Sequence, residues 1–134
     1  MKSIYLDTCV FIDFLAGRSS RKVEHCFTQS EEGKLKIMAS PLLLQEIMTG
    51  LYREESLERD EIYALLIGHR GISWIAYDLE IADLGAKIRS TLPIKTPDAI
   101  HLATAIFGNC EAFVTEDRGL TKLQGRVPIR IETR

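Results

Sequence analysis

Short apolar runs rich in Ile and Val alternate along the chain with longer stretches in which apolar residues recur every three or four positions. The short runs are SIYL, LKIMA, ISWIAY, EAFVT and VPIRIE, and stretches such as PLLLQEIMTGLYR and PDAIHLATAIFG lie between them. Because strands separated by helices pair through crossover connections, this order predicts a mainly parallel sheet. We expect an α/β fold, a three-layer sandwich whose central parallel sheet of about five strands is flanked by helices.

Several of the expected helices begin at recognisable capping residues. Ser40 and Thr96 are each followed by a proline, which is well tolerated in the first turn of a helix because its missing N–H would have no partner there. Asp78 is expected to cap the helix that follows ISWIAY, since Asp accepts hydrogen bonds from free N–H groups of a first turn. These starts fix where the acidic residues of the chain fall.

Composition limits the possible classes of protein. The 134 residues are 46% hydrophobic and 27% charged, which predicts one globular domain over residues 1–134. No apolar run is long enough to cross a bilayer, so we expect a cytoplasmic location. Cys9, Cys26 and Cys110 form no C-x-x-C pair and are expected to be reduced thiols. The net charge of −2 does not indicate a nucleic-acid binder, so any basic contact surface must be local.

Four carboxylates stand out by position. Asp7 and Asp117 each follow an apolar run, Glu46 lies on the inward face of the helix begun by Ser40, and Asp98 lies in the first turn after Thr96. Each has an ordinary structural explanation as a cap, a helix-dipole partner or a surface acid. Together, however, they fall where the carboxyl ends of parallel strands gather functional groups.

Converging carboxylates repel one another unless a positive charge lies between them, and few cationic residues are near these positions in sequence. Oxygen ligands of this kind suit Mg²⁺ or Mn²⁺, and Mg²⁺ typically also engages substrate phosphate. Such a site activates a water for attack on a phosphodiester without a nucleophilic Ser or Cys. Hydrolysis of a phosphate ester is therefore the expected reaction.

Other polar residues carry weaker signals. His101 lies three positions after Asp98, so a role near the substrate is conceivable, but a local hydrogen bond within its helix is the simpler interpretation. His25 and His69 are interpreted as structural, and Trp74 as a core residue. The best candidates for nucleic-acid contacts are basic residues near the expected acidic edge, namely Arg18, Arg21, Lys22, Arg118 and Lys122.

The segments LDTCVFIDFL, SPLLLQEI, TPDAIHLATAI and AFVTEDRGLTKL together resemble PIN-domain ribonucleases, in particular the small VapC-type toxins of toxin–antitoxin pairs. The resemblance runs from about residue 3 to residue 131, and the signal lies in four motifs in the correct order. It implies that Asp7, Glu46, Asp98 and Asp117 are the catalytic acids. Asp7, Asp98 and Asp117 would be metal ligands, and Glu46 would complete the shell directly or through water.

The same resemblance assigns supporting roles. Thr115 matches the hydroxyl residue that precedes the last acid by two, and Thr8 matches the one after the first acid; we expect Thr8 to cap the first helix. Cys9 stands where the family often has Asn or Ser, so a polar contact to the site is expected to be missing or weakened. Glu116 adds a charge beside Asp117.

The leading hypothesis is thus an Mg²⁺- or Mn²⁺-dependent endoribonuclease toxin with an RNA substrate, an antitoxin that occupies the acidic crevice, and a homodimeric state. One alternative is a PIN-type nuclease of RNA processing without an antitoxin. Another is an inactive relative that only binds RNA or protein, and the complete acid set argues against it. A phosphate-receiver or phosphatase domain fits less well, because no suitable Lys and Ser/Thr set follows Asp7.

Overall fold

The computed structural model describes residues 1–134 and has one sheet of five parallel strands. The strands are β1 (Lys2–Leu6), β2 (Leu35–Ala39), β3 (Ile72–Trp74), β4 (Ala112–Val114) and β5 (Arg130–Glu132). Their order across the sheet is β3-β2-β1-β4-β5, and every pairing is parallel. The predicted fold class is confirmed, including the number of strands.

Seven helices connect these strands: α1 (Thr8–Leu15), α2 (Arg21–Glu31), α3 (Pro41–Arg53), α4 (Arg59–Gly68), α5 (Leu79–Thr91), α6 (Thr96–Phe107) and α7 (Arg118–Thr121). Buried residues of α1 to α4 belong to one apolar cluster, and those of α5 to α7 belong to a second. The two clusters lie on opposite faces of the sheet, so the molecule has three layers. None of the helices combines the length and apolar character that a membrane span requires.

The central strand β1 shows how the sequence separates the two layers. Ile4 and Leu6 pack into the cluster of α1 to α4, whereas Tyr5 packs into the cluster of α5 to α7. Successive side chains of a strand point to opposite faces, so a fully apolar strand can supply both clusters. This alternation directs Tyr5 toward α6.

Most of the predicted helix starts are confirmed. The Ser40 hydroxyl accepts from the N–H of Leu42, and the Asp78 carboxylate accepts from the N–H of Ile81. The prediction for Thr96 is wrong by one position, because α6 begins at Thr96 and Lys95 is its cap without a side-chain hydrogen bond. Pro97 still lies in the first turn, where its missing N–H removes no hydrogen bond.

The strand order reverses at β1. The chain first adds β2 and β3 on one side of this strand and then β4 and β5 on the other. In open parallel sheets, ligands bind beyond the carboxyl ends of the strands at such a reversal. The residues that directly follow β1 and β4, which include Asp7, Thr115 and Asp117, therefore occupy the position where a site is expected.

Candidate active site

Asp7 is buried at the end of β1 and is the N-cap of α1. Its Oδ1 accepts from the backbone N–H of Thr8 at 2.9 Å, and its Oδ2 accepts from the Thr115 hydroxyl at 2.8 Å. The expectation that Thr8 caps this helix is wrong. The capping function belongs to Asp7, because its carboxylate lies directly at the free N–H groups of the first turn.

Thr115 connects Asp7 to Asp117. Its hydroxyl donates to Asp7 and also accepts from the backbone N–H of Asp117 at 3.0 Å. The Asp117 carboxylate is exposed and accepts from the N–H of Gly119 at 2.7 Å, so Asp117 caps the short helix α7. One buried hydroxyl thus holds the two acids that follow β1 and β4 in a fixed relation.

Glu46 has a partner that the sequence interpretation did not assign to it. Its Oε1 accepts from the Thr8 hydroxyl at 2.8 Å and lies 2.5 Å from Nε2 of the buried His101. Burial raises the pKa of Glu46, but the hydrogen bonds from His101 and Thr8 outweigh this and leave the pKa below its ordinary value. The partner that this inward carboxylate requires need not be a metal ion, because the His101 ring lies within hydrogen-bond distance of it.

His101 is the functional candidate that sequence reasoning underestimated. Instead of a local hydrogen bond within α6, it makes contacts across the molecule, with Tyr5 on β1, Glu46 on α3 and Thr8 on α1. Its Nδ1 lies 2.5 Å from the hydroxyl of Tyr5, whose ring stacks on Phe113 with centroids 5.3 Å apart. The one feature of the sequence that pointed to a role for His101 was its position three residues after Asp98, which places both on one face of the helix.

Tyr5 is completely buried, and this burial raises its pKa well above the ordinary value of a phenol, with further contributions from the charges of Asp7 and Glu46. The hydroxyl therefore keeps its proton and remains a hydrogen-bond donor.

Asp98 lies in the first turn of α6 and is half-buried without any hydrogen bond to the protein. Its pKa is raised, first by burial and then by the negative charges of Asp7, Asp117 and Glu46. The last three effects show that the four acids are close enough to share one electrostatic field. The other three candidate acids therefore lie within electrostatic range of Asp98, and their role in one common site stays a prediction.

The structure contains no group of three or more His, Cys, Asp or Glu side chains already arranged to bind a metal ion. The carboxylate oxygens of the candidate acids are nevertheless the kind of ligand that a divalent cation prefers, and a bound cation would relieve the repulsion between their negative charges. Mg²⁺ usually binds through one or two carboxylates and keeps several waters, so a closed set of three carboxylates is not required.

Comparison with known proteins agrees with this architecture. A sequence model of the PIN domain matches residues 4–125. The chain belongs to the PIN domain family. The predicted membership of this family is thereby confirmed. A comparison with curated protein sequences yields no match.

Several solved structures have a similar fold over nearly the whole length of this chain. VapBC2 from Rickettsia felis, bound to a DNA fragment from its promoter, is 18% identical, with a TM-score of 0.74 and 98% of each chain covered. DNA-bound VapBC from Salmonella typhimurium is 24% identical, with a TM-score of 0.70 and 99% of this chain and 98% of that chain covered. VapC20 from Mycobacterium tuberculosis, a sarcin-ricin loop cleaving toxin, is 14% identical, with a TM-score of 0.65 and 95% and 98% covered.

Cys9 and Glu116, the two residues that the resemblance marked as unusual, lie close to candidate acids in the sequence. The Cys9 sulfur lies 4.0 Å from Oδ2 of Asp7, a weak contact, and burial raises the pKa of its thiol. Glu116 is engaged by the C-terminal residue, because the backbone N–H of Arg134 donates to it at 3.0 Å and the guanidinium lies 3.3 Å away. Both residues are therefore beside the acids of the PIN domain, and Glu116 already has a positive partner.

The basic candidates differ in their pairing. Arg18 forms an ion pair with Asp13 at 3.2 Å, and Lys22 pairs with Glu132 at 3.1 Å. Arg118 and Lys122 are exposed and form no ion pair, as is also the case for Arg21. The free charges on and after α7 lie close in sequence to Asp117, so Arg118 and Lys122 remain the better candidates for contact with nucleic acid.

The remaining predicted residues lie apart from the acids. His69 accepts from the N–H of Gly71 and lies 3.6 Å from Glu31, and His25 is exposed. Trp74 packs partly buried against the cluster of α1 to α4. Cys9, Cys26 and Cys110 are free thiols.

Proposed function

We propose that this PIN-domain protein is a metal-dependent endoribonuclease and the toxin of a toxin–antitoxin pair. The single observation that carries the proposal is that Asp7 and Asp117 follow the strands at the reversal of the sheet, while burial and then the charges of Asp7, Asp117 and Glu46 raise the pKa of Asp98. A protein gains nothing in stability from such repulsion. It is expected where a cation and a phosphate substrate bind.

Asp7, Asp98 and Asp117 would hold Mg²⁺ or Mn²⁺. When bound, such a cation polarises a phosphodiester and lowers the pKa of an attacking water. The side chains of the protein would position the cation and supply the negative charge that binds it. Asp7 is fixed by the N–H of Thr8 and the hydroxyl of Thr115, whereas Asp98 has no internal partner and its charge is free for a ligand.

The same acids disfavour an RNA strand in the absence of a cation, because the phosphate group and the carboxylates carry charges of the same sign. This is the physical reason for the proposed dependence on a divalent ion. Arg118 and Lys122, exposed and unpaired beside Asp117, would contact neighbouring phosphates of the strand.

The roles as toxin and as ribonuclease draw support from the structural relatives. The structures from Rickettsia felis and Salmonella typhimurium are VapBC complexes, and VapC20 is described as cleaving the sarcin-ricin loop. We propose by analogy an RNA substrate and a separately encoded antitoxin that covers the acidic crevice. The homodimer and the cytoplasmic location stay predictions of the sequence.

The decisive experiment incubates the purified protein with structured RNA and with DNA of matching sequence. We expect cleavage of RNA within the strand when Mg²⁺ or Mn²⁺ is present, and its loss in EDTA with recovery when the metal is restored. Asp98→Asn should be inactive, and Lys34→Gln, which alters an exposed ion pair with Glu32, is the matched control that should remain active. Cleavage in EDTA, or full activity of Asp98→Asn, would refute the mechanism.

The toxin role needs its own test. Strong expression of the wild-type chain alone should arrest growth, and expression of Asp98→Asn should not. Normal growth with active wild-type protein present would favour the alternative of an RNA-processing nuclease, while the metal-dependent chemistry would still stand.

A further inference from the structure

A chain of hydrogen bonds connects the buried interior of the molecule to Glu46. It begins at the Tyr5 hydroxyl, passes through the two ring nitrogens of His101 and ends at Oε1 of Glu46, with 2.5 Å at each step. The Thr8 hydroxyl donates to the same Oε1 at 2.8 Å. This chain joins the two helical layers, because Tyr5 packs into the same apolar cluster as α6, the helix that carries His101, and Glu46 lies on α3 in the other layer.

The donors and acceptors in this chain fix the tautomer of His101. An ionised Glu46 only accepts, so Nε2 must carry the hydrogen that lies between the ring and the carboxylate. The Tyr5 hydroxyl has no acceptor other than Nδ1, so Nδ1 must be the unprotonated nitrogen. A neutral imidazole with its proton on Nε2 is the arrangement that gives every group in the chain a partner.

The two oxygens of Glu46 are consequently different. Oε1 receives hydrogen bonds from both His101 and Thr8, whereas Oε2 has no donor within the protein. A carboxylate held at one oxygen by two donors cannot rotate freely without losing both bonds.

We propose that His101, fixed in its tautomer by Tyr5, is a positioning residue that holds Glu46 by Oε1 and keeps Oε2 available to a water in the site. The inference rests on the proposed nuclease function for its kinetic consequence. Its structural part, the tautomer and the one-sided hydrogen bonding of Glu46, stands independently. Residues that orient a functional group in this way typically change activity by about 10- to 100-fold when mutated.

Tyr5→Phe is the sharpest test, because it removes one hydroxyl and keeps the aromatic ring that stacks on Phe113. We expect kcat for RNA cleavage to fall about tenfold with KM unchanged. Phe113→Leu is the matched control, since it disturbs the same stack but leaves the hydroxyl in place. A loss of kcat in Tyr5→Phe no greater than in Phe113→Leu would overturn the proposal.

A pair of substitutions at His101 separates positioning from packing. His101→Gln retains an N–H donor for Glu46, and His101→Leu does not. We expect His101→Gln to recover a substantial part of the kcat that His101→Leu loses. Equal activity of the two variants would show that His101 acts only through packing and would contradict the inference.

A spectroscopic measurement tests the structural part without any substrate. The ¹⁵N chemical shifts of the His101 ring in the wild-type protein should report a hydrogen on Nε2 and an unprotonated Nδ1. A ring protonated at Nδ1, or at both nitrogens, would overturn the assignment. A protein that shows the expected tautomer but cleaves no RNA would refute the proposed function and leave the hydrogen-bond arrangement standing, so the two failures are distinguishable.

Discussion

Asp7 and Asp98 lie at the same edge of the sheet but in opposite circumstances. Asp7 is buried, and both of its oxygens accept hydrogen bonds, from the Thr8 N–H and the Thr115 hydroxyl. Asp98 is half-buried, accepts no hydrogen bond from the protein and has its pKa raised by burial and by the charges of its acidic neighbours. One carboxylate is stabilised by the fold, and the other is disfavoured in its ionised form.

The different surroundings of Asp7 and Asp98 indicate two different reasons for an acid at this edge of the sheet, namely folding and function. Asp7 contributes to folding because it caps α1 and satisfies a buried hydroxyl, and it contributes to the site as well. Asp98 accepts no hydrogen bond from the protein, and its position in the first turn of α6 is its one evident contribution to folding. Substitutions of the two residues should therefore separate stability from activity.

The largest effect is expected for Asp7→Ala, which should lose both. The variant loses a helix cap and leaves the Thr115 hydroxyl without its acceptor, so we expect the free energy of unfolding to fall by about 2–3 kcal/mol. Urea denaturation monitored by circular dichroism measures this loss, and RNA cleavage should be abolished in parallel. Asp98→Ala, measured in the same way, should show no comparable loss of stability. Equal destabilisation by the two changes would contradict the comparison.

Asp98→Asn is expected to affect activity alone. Loss of a carboxylate that is proposed to bind the cation should cost several kcal/mol of transition-state stabilisation, and therefore about 100-fold or more in kcat/KM. Because the folded state raises the pKa of Asp98, the ionised carboxylate costs stability at neutral pH, and its removal should keep or raise Tm. A fall in Tm of Asp98→Asn at neutral pH would contradict the assignment of Asp98 as a purely functional acid.

Metal binding provides a second measurement on the same variant. A ligand that binds only the folded state raises stability with its concentration. Mn²⁺ should therefore raise the Tm of the wild-type protein and leave that of Asp98→Asn almost unchanged. An equal rise in both proteins would place the cation away from Asp98.

The sequence was sufficient for the fold because its signals are local. The apolar runs, the helical spacing and the caps at Ser40 and Asp78 act within a few residues, and the structure confirms them. The sequence also singled out the four candidate acids by their positions at strand ends and on helices, and their catalytic role stays a prediction. The strand order, which places Asp7 and Asp117 beyond neighbouring strands, came only from the structure.

Apart from the cap of α6, which lies one position before the predicted Thr96, the errors concern contacts between distant residues. Glu46 and His101 are separated by 55 positions, and Tyr5 and His101 by 96, so no spacing rule brings them together. The choice between Asp7 and Thr8 as the cap of α1 failed for a related reason. The Thr8 hydroxyl is already engaged by Glu46, a residue 38 positions away, and this leaves the cap to Asp7.

Asp117→Asn tests the more exposed acid of the site. Asn caps a helix about as well as Asp, so α7 should remain intact and the stability unchanged. Activity should fall by about 10- to 100-fold because the site loses one negative charge near the cation. Asp117→Ala is the companion variant and should lose the cap as well. If Asp117→Asn kept full activity while Asp117→Ala lost stability, Asp117 would be a cap and no more.

Thr115→Val examines the connection between the two acids that follow β1 and β4. The substitution keeps the shape of the side chain but removes the hydroxyl that donates to Asp7 and accepts from the N–H of Asp117. We expect a loss of about 1 kcal/mol in the free energy of unfolding and about a tenfold fall in kcat. Thr115→Ser should restore both, since it restores the hydroxyl. Restoration of stability without restoration of kcat would show that the hydroxyl does not position Asp7 for the reaction.

The smallest effect is expected at Cys9, beside the most firmly held acid. Its sulfur lies 4.0 Å from Oδ2 of Asp7, an oxygen that already accepts from Thr115, so the thiol adds little to the position of that carboxylate. Cys9→Ser introduces a stronger donor at the same place, yet kcat should change by less than about threefold, equivalent to about 0.6 kcal/mol. Steady-state RNA cleavage by the two proteins makes the comparison. A gain of tenfold or more in kcat would mean that the hydrogen bonds of the wild-type protein do not fully fix the Asp7 carboxylate. The contrast between a fixed Asp7 and a free Asp98 would then be smaller than the hydrogen bonds indicate.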